Sequence, residues 1–240
     1  MDTSLDAPML SDRHGGPVIH PEIIQGSDAW HAARCGLLTA SEMKLIVTPT
    51  LKPASNDKER SHLFELMAQR ITGYVEPSYI SDAMLRGHEG EQEAREIYGE
   101  HFAPVVEAGF ITNDTWGFTI GYSPDGLVGD DGLIEIKTRR QKFHVQTMVE
   151  RAVPDEFVIQ IQTGLIVADR KWCDFISYCD GLPMSPIRVF PDPTIQAAII
   201  DAASAFERRL QERMDAYAAA LTDGRKIIPT ERRIAMEIYV

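Results

Sequence analysis

The segment GFTIGYSPDGLVGDDGLIEIKT, residues 117–138, restricts the fold more than any other stretch of this chain. It carries two turn signals, SPDG at 123–126 and GDDG at 129–132, each flanked by apolar residues. Turns this close leave room only for short strands, and Gly109–Thr112, Gly117–Tyr122 and Leu133–Thr138 read as strands of an antiparallel meander. If GDDG closes a hairpin, residue 128 pairs near 133 and residues 125–126 lie opposite 135–136. Alternation along LIEIK sends Ile134 and Ile136 to one face and Glu135 and Lys137 to the other. The hairpin therefore brings Asp125 toward Glu135, with Lys137 alongside.

Helices surround this meander. Ser27 can cap a short helix over Asp28–Cys35 that Gly36 ends, and Thr39 or Ser41 can cap a second short helix in LLTASEMKLIV. Glu59–Gly73 reads as an amphipathic helix, Ser81–Phe102 as a long one, and Glu156–Ala168 as an apolar one. Trp172–Cys179 reads as a strand. A final helix over 194–221 carries the stripe Ile195, Ile199, Ala202, Phe206, Leu210, Met214, Tyr217 and Leu221. The polar segment 1–22, with Gly15, Gly16, Pro17 and Pro21, reads as a loose arm before one domain at 23–240. The expected class is mixed α/β, a central mixed β-sheet flanked by helices.

Charge bears on the choice of partner. The chain carries a formal net charge of −12, which argues against the basic footprint of a protein that coats DNA. The excess is local: residues 61–120 hold ten acids against three bases. Within Ser81–Phe102, Glu89, Glu93, Glu96 and Glu100 line one helix face, the pattern of a solvated stripe. Glu91 lies about 200° away at ~100° per residue. It shares the packing stripe of Met84, Gly87, Ala94 and Tyr98. A carboxylate there needs a cationic partner or a metal, and both readings stand.

Asp125 and Glu135 at hairpin distance, the Ile136 carbonyl between Glu135 and Lys137, and Glu91 form an oxygen-rich set suited to Mg²⁺. SPDG alone is an ordinary turn, and Glu-x-Lys alone is an ordinary solvated strand face. Their combination is the more specific signal. Gln160 and Gln162 in VIQIQ are amides in an apolar segment and need partners. Either one satisfies loop backbone or orients a site carboxylate. Arg34, at the end of one short helix, and Ser41, at the start of the next, suit an anion. A surface ion pair and a plain cap are the simpler readings of these two.

Three cysteines, Cys35, Cys173 and Cys179, form no CxxC pair and fit a reducing, cytoplasmic setting. The start of the chain does not read as a signal peptide, and no apolar run approaches the ~20 residues of a membrane span.

The strings GSDAWHAARCGLLTASE, RGHEGEQEARE, GYSPDGLVGDDGLIEIK and VIQIQ resemble the lambda-type exonucleases, or YqaJ-like viral recombinases, of the restriction-endonuclease-like nuclease superfamily. The resemblance spans about 26–165 and implies a restriction-endonuclease-like core. It implies a Mg²⁺-dependent exonuclease, with two ions and Mn²⁺ as a substitute. Such an enzyme degrades duplex DNA from its 5′ end and leaves a 3′ tail for a single-strand annealing protein. It places metal ligands on Asp125, Glu135 and the Ile136 carbonyl, with Glu91 assisting. The catalytic lysine falls on Lys137 and the motif glutamine on Gln160, with Gln162 as the alternative. The 5′-phosphate pocket falls on Arg34, Ser41 and Ser123. A ring-shaped trimer is implied by the lambda-type members. Arg139, Arg140 and Lys142, which follow the catalytic strand with no intervening acid, are expected to meet the DNA backbone. Another nuclease of the superfamily (an endonuclease or nickase) and a non-catalytic DNA-end-binding module are the competing readings.

Overall fold

A computed structural model describes residues 15–76 and 82–232. Its elements run β1 (Pro17–His20), α1 (Asp28–Arg34), β2 (Leu38–Thr39), α2 (Asp57–Thr72), α3 (Asp82–His101), β3 (Phe110–Asn113), β4 (Ile120–Tyr122), β5 (Gly126–Val128), β6 (Gly132–Thr138), α4 (Gln141–Glu150), α5 (Asp155–Ala168), β7 (Trp172–Tyr178), β8 (Ile187–Val189) and α6 (Pro193–Leu221). The mixed α/β class is as expected. The single central sheet resolves into two four-stranded mixed sheets, in the orders β1-β3-β4-β2 and β5-β6-β7-β8.

The hairpin forms where the turn signals place it, one residue from the expected register. Gly126 pairs with Ile134 and Val128 with Gly132, while Gly129 turns at φ +54°. The chain leaves the first sheet at Tyr122 and enters the second at Gly126, so Ser123–Asp125 is the seam between them. β6 then pairs in parallel with β7 along its whole length, and α4 and α5 make the crossover.

Helix ends follow their capping residues. Asn56 accepts hydrogen bonds from the Lys58 and Glu59 amides, which starts α2 two residues before the expected Glu59. Asp192 caps α6 in the same way. In α6, Ile199, Ala202, Phe206 and Leu210 are fully buried against α5 and α2, whereas Tyr217 and Leu221 at the end of the predicted stripe are exposed. On α3, Ala94 and Tyr98 are buried and Glu89, Glu93, Glu96 and Glu100 are exposed, as the period requires. Ser81 and the side chain of Met84 lie outside the described residues. α5 lies against both sheets. A Cβ on its Gly164 would sit 2.6 Å from the Tyr122 ring. That contact explains a mid-helix glycine, which costs about 1 kcal/mol relative to alanine.

Three readings need correction. The arm expected over 1–22 includes β1, whose partner β3 lies more than ninety residues away: Pro17 pairs with Asn113. The second short helix is a single 3₁₀ turn, Met43–Leu45, preceded by Glu42 with no side-chain cap. Ser41 caps nothing; its hydroxyl lies 3.3 Å from that of Thr39. Among the described residues, no helix is long and apolar enough to cross a membrane.

Candidate active site

β6 presents the acid and the lysine. Ile134 and Ile136 enter a cluster with Ala94, Tyr98, Ile176 and Tyr178, and Glu135 and Lys137 face the other way. Glu135 is 1% exposed and surrounded by donors. Tyr122 donates its hydroxyl to Oε2 at 3.0 Å, while Lys137 Nζ at 2.6 Å and the Gln160 amide hold Oε1. Burial, then Glu135, push the Tyr122 phenol well above its ordinary pKa, so it stays protonated as a donor. Burial opposes the charge of Lys137, but Glu135 and Asp125 outweigh it, and the ammonium is held above its ordinary range.

Asp125, at the seam, accepts the Ile136 N–H on Oδ2 at 2.5 Å. A strand residue directs its N–H and C=O to the same neighbour. The Ile136 carbonyl therefore faces the side of Asp125. Burial, followed by the charges of Glu135 and Glu91, pushes the Asp125 carboxyl well above the usual carboxylate range.

Glu91 meets a cation on its own helix. Arg95 Nη2 donates to its Oε1 at 2.8 Å, Arg95 Nε donates to the Asp125 carbonyl at 2.7 Å, and Nη1 reaches Glu107 at 3.0 Å. Among the described residues, no three His, Cys, Asp or Glu side chains form a preformed metal cage. The residue types still suit a hard divalent cation: Glu135 and Glu91 are near enough for their charges, after burial, to raise the Asp125 pKa, and carboxylate oxygens are the ligands such a cation takes.

The two glutamines separate. Gln160 meets Glu135. Gln162 donates to the Phe190 carbonyl and accepts the Asp192 N–H, securing the loop before α6.

Arg34, Ser41 and Ser123 fall in one patch, joined by Trp30 and by Thr39, the cap candidate. The Arg34 guanidinium lies 4.2 Å over the Trp30 ring and donates to Thr39 Oγ1 at 3.2 Å. Thr39 contacts Ser41, and Trp30 Nε1 donates to Ser123 Oγ at 2.7 Å. Burial lowers the Arg34 pKa, opposed by the nearby Glu42. The basic run divides. Arg140 and Lys142 are exposed at the start of α4. Arg139 turns inward: it donates to Thr147 Oγ1 at 3.0 Å, meets Glu156 at 3.4 Å, and packs over Phe143 and Phe157. Arg139 is thus no free phosphate contact here.

Tyr122 and Arg95 escaped notice. A buried tyrosine hydroxyl needs a partner, and Arg95 is one helical turn from Glu91. Both signals were present. Tyr122→Phe removes a donor from a buried acceptor without opening a cavity. It is expected to cost about 1–3 kcal/mol, read as a lower urea midpoint.

Buried Asp125 and Glu135 and half-buried Lys137 lie where the two sheets of this mixed α/β fold meet, and the family and the exonuclease structures that the chain matches make it a nuclease. Residues 29–171 match the YqaJ-like viral recombinase domain, and the chain belongs to that family. It is similar to the alkaline exonuclease LHK-Exo from Laribacter hongkongensis, at 34% identity and TM-score 0.73 over 82% of this chain and 99% of that one. The same enzyme in complex with dAMP aligns at 36% identity and TM-score 0.71, over 82% and 98%. A phage-related exonuclease from Haemophilus somnus 129PT, 15% identical over 74% and 96%, shares the fold at TM-score 0.57. No curated protein matches the chain.

Proposed function

We propose that this chain is a Mg²⁺-dependent exonuclease that removes nucleotides from the 5′ end of double-stranded DNA and leaves a 3′ single-stranded tail. One observation carries the reading: Asp125 is tied to the backbone of β6 between Glu135 and Lys137. The family and the exonuclease relatives support it.

Two Mg²⁺ ions, or Mn²⁺ in their place, would be held by Asp125, Glu135 and the Ile136 carbonyl. Glu91 would add Oε2, its other oxygen being bound by Arg95. Bound there, the cations supply charge neutralisation at the scissile phosphate and a more acidic water. The chain supplies position. Tyr122 and Gln160 fix the Glu135 carboxylate, and Glu135 aims the Lys137 ammonium at the attacking water. Water oxygen bonds to phosphorus as the bond to the 3′ oxygen breaks; the attacking water gives its proton to solvent, and the leaving 3′ oxygen takes one from solvent. The product is a 5′-mononucleotide. Arg34, Ser41 and Ser123 hold the terminal 5′-phosphate, so the cut falls one nucleotide in. Arg140 and Lys142 meet the backbone. A single-strand annealing protein that takes the tail, and a ring of three copies around DNA, complete the reading by family resemblance.

The test is digestion of linear duplexes with 5′-phosphate or 5′-hydroxyl ends, and of closed circles, with Mg²⁺. Mononucleotides are expected from 5′-phosphorylated linear DNA alone. Cut circles would indicate an endonuclease or nickase, and ends protected without hydrolysis a binding module. Arg34→Ala is expected to reduce the preference for 5′-phosphate ends about tenfold or more, since a charge-assisted contact contributes ~1.5–3 kcal/mol. Competition between the two duplex types reads that ratio.

A further inference from the structure

We propose that Arg95 is a positioning residue for the cation site, setting the helix acid Glu91 against the seam acid Asp125. This rests on the metal-dependent reading above. Three N–H groups of one guanidinium meet acceptors from three segments: Glu91 on α3, the Asp125 carbonyl at the seam, and Glu107 in the connection to β3. The Glu91 and Asp125 contacts are the shorter two, at 2.8 and 2.7 Å.

The consequence for Asp125 comes through its backbone. Its carboxylate is pinned to the Ile136 amide on one side, and its carbonyl to Arg95 on the other. The peptide and the side chain are both fixed. Glu91 faces an open cavity of about 230 Å³, which Gln92, Glu107 and Pro124 also line. Glu91 is 17% exposed there, and the Arg95 fork confines its carboxylate on the side of Asp125. A lysine could supply the charge but not a planar fork reaching three acceptors.

A different account gives the opposite sign. If Arg95 merely neutralised Glu91 as an i,i+4 pair, it would compete with a cation, and its removal would tighten cation binding. Calorimetric titration of Mn²⁺ into metal-free full-length protein separates the two, without relying on activity. The variants are Arg95→Gln and Arg95→Lys, each checked for a cooperative melt. Both are expected to bind Mn²⁺ at least about tenfold more weakly than wild type, the usual cost of losing a group that orients a ligand.

Equal or tighter binding by folded Arg95→Gln overturns the proposal. So does recovery of wild-type affinity by Arg95→Lys, because charge alone would then suffice. Should Arg95→Gln fail to fold, the lysine variant decides on the same criterion. Absence of Mn²⁺ binding by wild type would overturn the metal-dependent reading and this proposal together. Wild-type binding with unchanged variants overturns this proposal alone.

Discussion

Asp125→Asn is expected to lower the rate of nucleotide release by on the order of 10²–10³-fold, the scale of several kcal/mol of metal-supplied charge stabilisation. It is also expected to raise the melting temperature of the metal-free protein. The second effect follows from the sign of the pKa shift. Burial, Glu135 and Glu91 raise the folded-state pKa of Asp125 above its unfolded value. The stability this group contributes is complete below the unfolded pKa and lost as pH rises through the folded one. Neutral pH lies above the unfolded pKa, so Asp125 weakens the metal-free fold there. Asparagine removes the charge and can still accept the Ile136 N–H on its oxygen. Each kcal/mol recovered raises the melting temperature by about 2–4 °C in a chain of this size. Added Mg²⁺ should raise the melting point of wild type and not of the variant. Thermal melts at pH 5 and pH 8, with and without Mg²⁺, check both signs. A variant that melts lower than wild type without metal, or that keeps its activity, contradicts the assignment.

Lys137→Ala is expected to slow hydrolysis by about 10²–10⁴-fold, the range for a positioned proton-handling group, while leaving binding of 5′-phosphorylated duplex in place. Its effect on stability runs opposite to that of Asp125→Asn. Glu135 is 1% exposed, and Lys137 at 2.6 Å is its cationic partner. Removing one partner of a fully buried pair costs about 3–5 kcal/mol. The cost here is smaller, because a quarter of the lysine side chain is exposed and Tyr122 and Gln160 still donate to Glu135. A divalent cation would take over part of the lost countercharge, so the difference in melting point should narrow when Mg²⁺ is added. Single-turnover digestion, a binding isotherm and paired melts measure the three effects. Wild-type rates from a folded Lys137→Ala protein would remove Lys137 from the chemistry.

The hairpin was legible because both its turns are written locally. Two Gly/Asp turns fixed the hairpin that places Asp125 beside β6, to within one residue of register. The faces of α3 and α6 followed from helical period for the same reason. What escaped was non-local or polar. β1 is four residues long, and its partner is β3, far along the chain. β8 is three residues long and, among the described residues, pairs only with β7. α4 buries His144 and Thr147, so it has no apolar stripe to betray it. Gln160 and Gln162 are two positions apart on a helix and point to different sides. VIQIQ alone could not say which side meets Glu135. The split arises from tertiary packing of α5, which turns Gln162 toward the loop before α6. Arg139 illustrates the converse: charge suggested a DNA contact, and two aromatic rings and Thr147 drew it inward.

Under the proposed function, Asp125, Glu135 and Lys137 hydrolyse DNA from its 5′ end. A 5′-phosphorylated duplex with one label on the 5′-terminal nucleotide and a second at the 3′ end of the same strand tests it most directly. With Mg²⁺, the 5′ label should appear as mononucleotide at the earliest times, while the 3′ label stays in a shortening strand. A chelator should stop release of both labels, and Asp125→Asn should slow it on the order of 10²–10³-fold. Release of the 3′ label first, or of internal oligonucleotides, would contradict the account.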